Sequence, residues 1–184
     1  MKTDYCIEIP QITGVINSVQ DFYKKMLKEK PVGEVWYEGI THHRIPKGHS
    51  VYNILNKDLF YTNEEETNWS GVLDPKKIKA GEMVAEVRAY LSQQKGGVKF
   101  RPHIDSGYVF IFPFEIAENS NYKLQYLTND DPQSYEVLYE HEYRLNDNDE
   151  VIGILHNGPG HPHTVQWDSL KDKWWVQIIA NPKE

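Results

Sequence analysis

From Val98 onward the chain breaks into short β-type runs cut by turn residues, and this rhythm constrains the fold more than any other feature. "VKFRPHIDSGYVFIFPFEI", "YKLQYL", "YEVLYEHEYRL", "DEVIGIL", "HTVQW" and "KWWVQII" alternate with "ENSN", "NDDPQS", "NDND", "NGPG" and "SLKD". Val, Ile and aromatic side chains suit a pleated, half-buried surface, while Asn, Asp, Gly and Pro supply the turns. Short strands at this spacing imply an antiparallel sandwich or barrel.

Upstream the pattern is mixed. "YCIEIPQI" reads as a short strand, and "NSVQDFYKKMLKEK" (17–30) places Val19, Phe22, Met26 and Leu27 at roughly helical spacing before Pro31. Residues 33–72 hold strand-like fragments such as "VWYEGI" and "SVYNIL". "DPKKIKAGEMVAEVRAYLSQQKGG" (74–97) carries the strongest helical pattern: Asp74 as N-cap, Pro75 at the first helical position, and an apolar face of Ile78, Met83, Val84, Val87, Tyr90 and Leu91. The expected architecture is mainly β with flanking helices (α+β) in a single domain over 1–184. A helix-rich support spans about 1–97 and the β core about 98–180, with helices 17–30 and 74–95 packed outside.

The net charge of −7 argues against a general nucleic-acid binder, which needs a basic surface to displace counterions. One cysteine, Cys6, excludes an internal disulfide framework and a Cys-based zinc site, and fits a reducing compartment. No apolar run approaches the ~18 residues a membrane span requires, and "MKTDYCIEIPQ" has no signal-peptide core, so a cytoplasmic location is expected. Twelve tyrosines, five tryptophans and six phenylalanines suit either a β-rich core or a ligand cleft, with Trp36, Tyr37, Tyr52, Tyr61 and Trp69 as candidates to roof it.

The chemistry concentrates in "RPHIDSG". On a strand running from Val98, positions i and i+2 share a face, so His103 and Asp105 point the same way. An imidazole and a carboxylate are two ligands for a divalent first-row metal, and a second histidine would complete the 2-His-1-carboxylate triad of non-haem iron(II) oxygenases. His156, His161 and His163 in "LHNGPGHPHTVQW" are the candidates.

"HID", a β-rich stretch and then "DEVIGILHNGPGHPHTVQWDSLKDKWWVQI" together resemble the 2-oxoglutarate/iron(II)-dependent oxygenases, in particular the compact aspartyl/asparaginyl and prolyl hydroxylase-like members. The resemblance covers about residues 98–180. It implies a jelly roll, the cupin-like double-stranded β-helix, and a metal site of His103, Asp105 and His163, with His161 the weaker match for the far histidine. Lys173, ten residues after His163, matches the basic residue that salt-bridges the distal carboxylate of 2-oxoglutarate. That residue is normally arginine in this branch, and lysine lacks arginine's bidentate geometry. Arg101, on the expected strand face of His103 and Asp105, is the alternative anchor. The implied activity is a dioxygenase using Fe(II), 2-oxoglutarate and O2 to hydroxylate a C–H bond of a peptide side chain or small metabolite.

The competing reading is a cupin-type metal protein that does not use 2-oxoglutarate. "NGPGHPH" resembles the second cupin motif, but the first cupin motif wants His-x-His where this chain has His-x-Asp. His42, His43 and His49 in "THHRIPKGHS" read as a polar loop, and "NEEET" (63–67) as a solvated acidic one. Alternation in "KWWVQII" puts Lys173, Trp175 and Gln177 on one face and Trp174, Val176 and Ile178 on the other. A further expectation pairs residues 165–167 with 173–175 as neighbouring strands across "DSLKD".

Overall fold

The computed structural model describes residues 5–10, 12–54, 84–115, 122–156 and 158–182. In chain order its elements are β1 (Cys6–Glu8), α1 (Val15–Ser18), α2 (Gln20–Glu29), β2 (Glu34–Tyr37), β3 (Ile40–Arg44), α3 (Val51–Ile54), β4 (Val84–Gln94), β5 (Tyr108–Pro113), β6 (Lys123–Leu127), β7 (Val137–Glu142), β8 (Ile154–His156), β9 (His163–Gln166) and β10 (Lys173–Pro182). Among the described residues the strands form a seven-stranded sheet, β1-β8-β5-β10-β4-β3-β2, and a three-stranded sheet, β7-β6-β9. Every pairing is antiparallel. The result is a mainly β jelly roll with helices at one side.

β10 is the spine of the large sheet, bonded along its length to β4 and on its other edge to β5. Its alternation follows the sequence. Val176 and Ile178 join Ala89, Leu91, Phe110, Phe112 and Leu155 in one core, which α1, α2 and α3 cover with Val15, Val19, Met26 and Val51. Lys173, Trp175 and Gln177 face the opposite way, toward the small sheet. A second core of Cys6, Tyr122, Leu124, Tyr126, Tyr143, Ile154 and Trp167 fills the space between the sheets. Both layers are apolar because a jelly roll buries one sheet face against the other sheet and, here, the outer face against helices.

Several expectations are overturned. The helix over 74–95 is a strand wherever it is described: residues 84–94 form β4, and 74–83 lie outside the described residues. β4 is enclosed by β3 and β10 and buried on both faces, with Ala89 and Leu91 on one and Tyr90 and Ser92 on the other. A strand buried on both faces loses the polar alternation that marks a half-exposed one, so its apolar residues also fit a helical period. The division at residue 97 likewise fails, since β1–β4 belong to the same sheet as β5, β8 and β10. "SVYNIL" is not a strand: its residues 51–54 form the single turn α3.

The predicted pairing across "DSLKD" does not form either. β9 pairs with β6 in the small sheet, whereas β10 lies in the large one, so this connection crosses between sheets. Trp167 anchors it by donating its indole N–H to the Lys171 carbonyl at 3.0 Å.

Candidate metal centre

Residues 98–107 were expected to be a regular strand and are not one. They run beside the free edge of β9 and touch it through one bridge, in which His103 and His163 exchange backbone hydrogen bonds of 3.0 and 2.9 Å. The Thr164 hydroxyl adds a bond to the Phe100 carbonyl at 2.7 Å. A hydrogen-bonded antiparallel pair places both side chains on the same face, which brings the two histidines together from opposite ends of the core. Their rings lie 4.2 Å apart between centroids.

Asp105 closes the group. Its Oδ1 is 3.5 Å from His103 Nε2 and its Oδ2 is 3.3 Å from His163 Nε2. One ligand atom from each of the three residues lies within 4.8 Å of the others. Gly158, in the loop after β8, fixes where Asp105 sits: a Cβ there would collide with the Gly107 carbonyl and the Asp105 Cβ. Only glycine permits that approach.

The tautomers define what the cluster can hold. His103 Nδ1 lies 2.8 Å from the Arg101 carbonyl, and His163 Nδ1 lies 3.1 Å from the His161 carbonyl. A carbonyl only accepts, so both Nδ1 atoms are donors, and a neutral ring then presents a lone pair at Nε2. Two lone pairs and a carboxylate therefore converge with no proton between them. Burial pushes the His163 pKa down and so opposes a second proton there. A divalent cation satisfies all three donors, and backbone carbonyls orienting the far ring nitrogens are the usual second layer of such sites.

The cluster opens into a cleft of about 340 Å³ between the two sheets. Tyr90, Val109, Ile111, Trp175 and Gln177 come from the large sheet and Tyr122, Leu124 and Val165 from the small-sheet side. Trp36 stands at the mouth, its ring 4.5 Å from that of His103. His42 also lines the cleft, held by a 2.7 Å contact between its Nδ1 and the Ser92 hydroxyl, and burial lowers its pKa to about 4. The "THHR" segment is thus β3 rather than a loop. Its histidines diverge: His43 stacks on Trp174 behind the sheet, and His49 accepts the Val51 N–H.

Lys173 lines the same cleft at 2% exposure. Its Nζ lies 4.2 Å from the Tyr122 ring centre, 4.6 Å from that of Trp175 and 5.8 Å from that of Phe100. No carboxylate among the described residues pairs with it, and burial pushes its pKa well below the usual lysine value. Arg101, the alternative anchor, is exposed, stacks on Tyr37 at 5.4 Å, and is absent from the cleft wall. Its expected strand face disappears with the strand. His161 packs against Tyr5 at 4.8 Å, outside the His103–Asp105–His163 group. Of the aromatic residues expected to roof the cleft, Trp36 does so. Tyr52 instead bonds the Ile45 carbonyl and the Ala89 N–H behind the large sheet, while Tyr61 and Trp69, like the acidic stretch 63–67, lie outside the described residues.

Sequence reasoning missed the box around Lys173. Its signal was the alternation of "YKLQYL", which puts Tyr122, Leu124 and Tyr126 on one face, opposite His163 at the Tyr126 position.

No family model and no curated protein matches this chain by sequence. Solved structures do match by shape. A prolyl hydroxylase from Trichoplax adhaerens, solved with a peptide fragment of the hypoxia inducible factor oxygen degradation domain, superposes with a TM-score of 0.58 at 9% identity, covering 97% of this chain and 84% of that one. The fold is that of the 2-oxoglutarate/iron(II)-dependent oxygenases. A Pseudomonas putida prolyl-4-hydroxylase gives a TM-score of 0.54 at 9% identity, over 97% of this chain and 93% of that one. An Arabidopsis thaliana dioxygenase for auxin oxidation, solved with 2-oxoglutarate, gives 0.57 at 9% identity over 97% and 84%. In this oxygenase fold the described helices include none long and apolar enough to cross a membrane.

Proposed function

We propose that this protein is an iron(II)- and 2-oxoglutarate-dependent dioxygenase that hydroxylates a C–H bond of a peptide side chain or small metabolite. The observation that carries the reading is the convergence of the His103 and His163 Nε2 lone pairs on the Asp105 carboxylate, within 3.3–3.5 Å, at the wall of a cleft. Two imidazoles and one carboxylate leave coordination positions free for other ligands, as the facial-triad iron sites do.

His103, Asp105 and His163 would hold the iron. Bound there with its co-substrate and oxygen, the metal supplies the oxidising chemistry that no amino-acid side chain provides. Lys173 offers a distal carboxylate an ammonium partner inside an apolar, aromatic wall. Such a partner restores the charged form that burial opposes and adds a charge-assisted hydrogen bond. Phe100, Tyr122 and Trp175 exclude water around that contact. Trp36 and the half-exposed Ile104 line the entrance, where an apolar portion of a substrate would rest against His103.

Anaerobic titration with iron(II), with and without 2-oxoglutarate, tests the reading. The expected result is stoichiometric metal binding, a visible charge-transfer absorption when both are present, and succinate formation once oxygen and a substrate are added. Metal binding without the absorption or succinate would favour the cupin-type reading, and absence of metal binding would refute both. Alanine at His103, Asp105 or His163 should abolish metal binding while the far-ultraviolet spectrum stays that of the folded protein.

A further inference from the structure

A third histidine lies against the cluster and differs from the other two in what holds it. His156, the last residue of β8, is 0% exposed. Its Nε2 is 3.6 Å from Asp105 Oδ2, its ring centroid is 4.1 Å from that of His163, and its Nε2 has no hydrogen-bond partner among the described residues. Its Nδ1 lies 2.8 Å from the Tyr126 hydroxyl, itself fully buried.

Those contacts assign a different tautomer. Carbonyl partners force Nδ1 of His103 and His163 to donate, leaving ligand lone pairs at Nε2. The Nδ1 partner of His156 is a hydroxyl, which can donate. With the Tyr126 O–H donating to Nδ1, a neutral His156 carries its single proton on Nε2, and the nearest acceptor is the Asp105 carboxylate. The opposite assignment would aim a buried lone pair at a carboxylate from outside the ligand group, where no cation shared with His103 and His163 would satisfy it. Closing the 3.6 Å separation by about half an ångström gives an ordinary N–H···O bond.

We propose that His156 is a positioning residue, the middle member of a buried Tyr126–His156–Asp105 chain that orients the Asp105 carboxylate toward the metal. One carboxylate oxygen accepts from His156 Nε2–H and the other is left for the cation. The proposal rests on the reading of Asp105 as a metal ligand. His156 is not a fourth ligand: its Nε2 falls outside the group whose ligand atoms lie within 4.8 Å of one another. β8 holds it in place between β1 and β5, with His156 paired to Cys6 and to Val109.

The test is cobalt(II) titration of the full chain, read by equilibrium affinity and by the visible ligand-field spectrum at saturation, for wild type, His156→Phe, His156→Gln and Tyr126→Phe. Outer partners of ligand residues are generally worth 10–100-fold in metal affinity. We expect His156→Phe to weaken cobalt binding by that factor while the saturated spectrum keeps its shape. His156→Gln, which retains a terminal N–H donor, should recover at least half of the loss on a logarithmic scale. Tyr126→Phe, which preserves the ring and removes only the hydroxyl, should weaken binding by about fivefold or more. The proposal is overturned by unchanged affinity in His156→Phe, by a spectrum showing a lost ligand, or by glutamine behaving like phenylalanine. If His156→Phe fails to fold, an unchanged affinity in Tyr126→Phe overturns it alone. Absence of cobalt binding in wild type refutes the metal centre and this chain together, whereas wild-type binding with indifferent variants refutes this chain only.

Discussion

Replacing Lys173 with methionine should make the protein more stable and less able to bind 2-oxoglutarate. The ammonium is 2% exposed, faces three aromatic rings, and has no carboxylate partner among the described residues. Ring faces return about 0.5–2 kcal/mol to a cation, less than the several kcal/mol its desolvation costs. Burial therefore depresses its pKa in the folded chain. The unfolded chain then binds the extra proton across the window between the depressed value and about 10.4, so stability rises with pH through that window. Methionine, similar in length and flexible, removes the cost. At neutral pH the gain should be about 1–4 kcal/mol, the range seen when buried ionic groups give way to apolar ones. For a chain of this size each kcal/mol moves Tm by about 2–4 °C. The gain should shrink toward zero above pH ~10.4, where lysine is neutral in both states.

Binding should move the other way. A dicarboxylate that reaches Lys173 draws a proton onto it, so the wild-type affinity for 2-oxoglutarate should fall as pH rises above the depressed pKa of Lys173. Lys173→Met should lose at least tenfold in affinity, about 1.4 kcal/mol, with that pH dependence abolished and metal affinity unchanged. Lys173→Arg should keep part of the affinity. Scanning calorimetry at neutral and alkaline pH, and isothermal titration in buffers of different ionisation enthalpy, read the two effects. A variant no more stable than wild type that also binds 2-oxoglutarate normally would refute the reasoning.

Other outcomes follow from the same geometry. Gly158→Ala should displace Asp105 and weaken metal binding by about tenfold or more, while an alanine at exposed Gly48, strained by its φ of +94° but meeting nothing within 4 Å, should leave metal affinity alone. Arg101→Ala should leave 2-oxoglutarate affinity within twofold, measured by the same titration, because that side chain lies on Tyr37 outside the cleft. Buried Glu8 accepts three close contacts from the Arg144 guanidinium, at 2.8–3.2 Å, which outweigh burial and draw its pKa down to about 2. Its stabilising effect is complete above the unfolded value near 4.5 and disappears as pH falls through about 2, so Glu8→Gln should cost about 1.5–3 kcal/mol at pH 7 and little in strong acid, read by denaturant titration.

Much of the site was legible because it depends on local parity and on turn positions. Alternation in "KWWVQII" correctly separated Lys173 and Trp175 from Trp174 and Val176, since β10 has a different environment on each face. The i, i+2 spacing paired His103 with Asp105 and the family resemblance added His163, yet the gathering of the three arises from one cross-strand bridge beside an irregular segment. β4 was read as a helix because both its faces are buried, which erases the alternation that distinguishes a strand. The route of "DSLKD" was illegible for another reason. A five-residue link can join neighbours within a sheet or step between sheets, and long-range pairing of β10 with β4 and β5 decides which. The roles of His156 and Tyr126 depend on hydrogen-bond partners thirty residues apart in the chain, which residue type alone does not reveal.

That step between sheets has a mechanical consequence. His163 belongs to one wall of the cleft and Lys173 to the other, although only nine residues separate them in the chain. A ligand gripping the metal at one end and the ammonium at the other would act as a crossbar between the walls. Spreading of the sheets would then work directly against that ligand, and the metal, by fixing one end of the bar, would enhance the binding of the other. By linkage, 2-oxoglutarate must tighten metal binding by the same factor that the metal tightens its own. The cleft would be slackest when empty and most resistant to opening when both guests are seated, which hydrogen exchange along β9 and the lip of β10 would register.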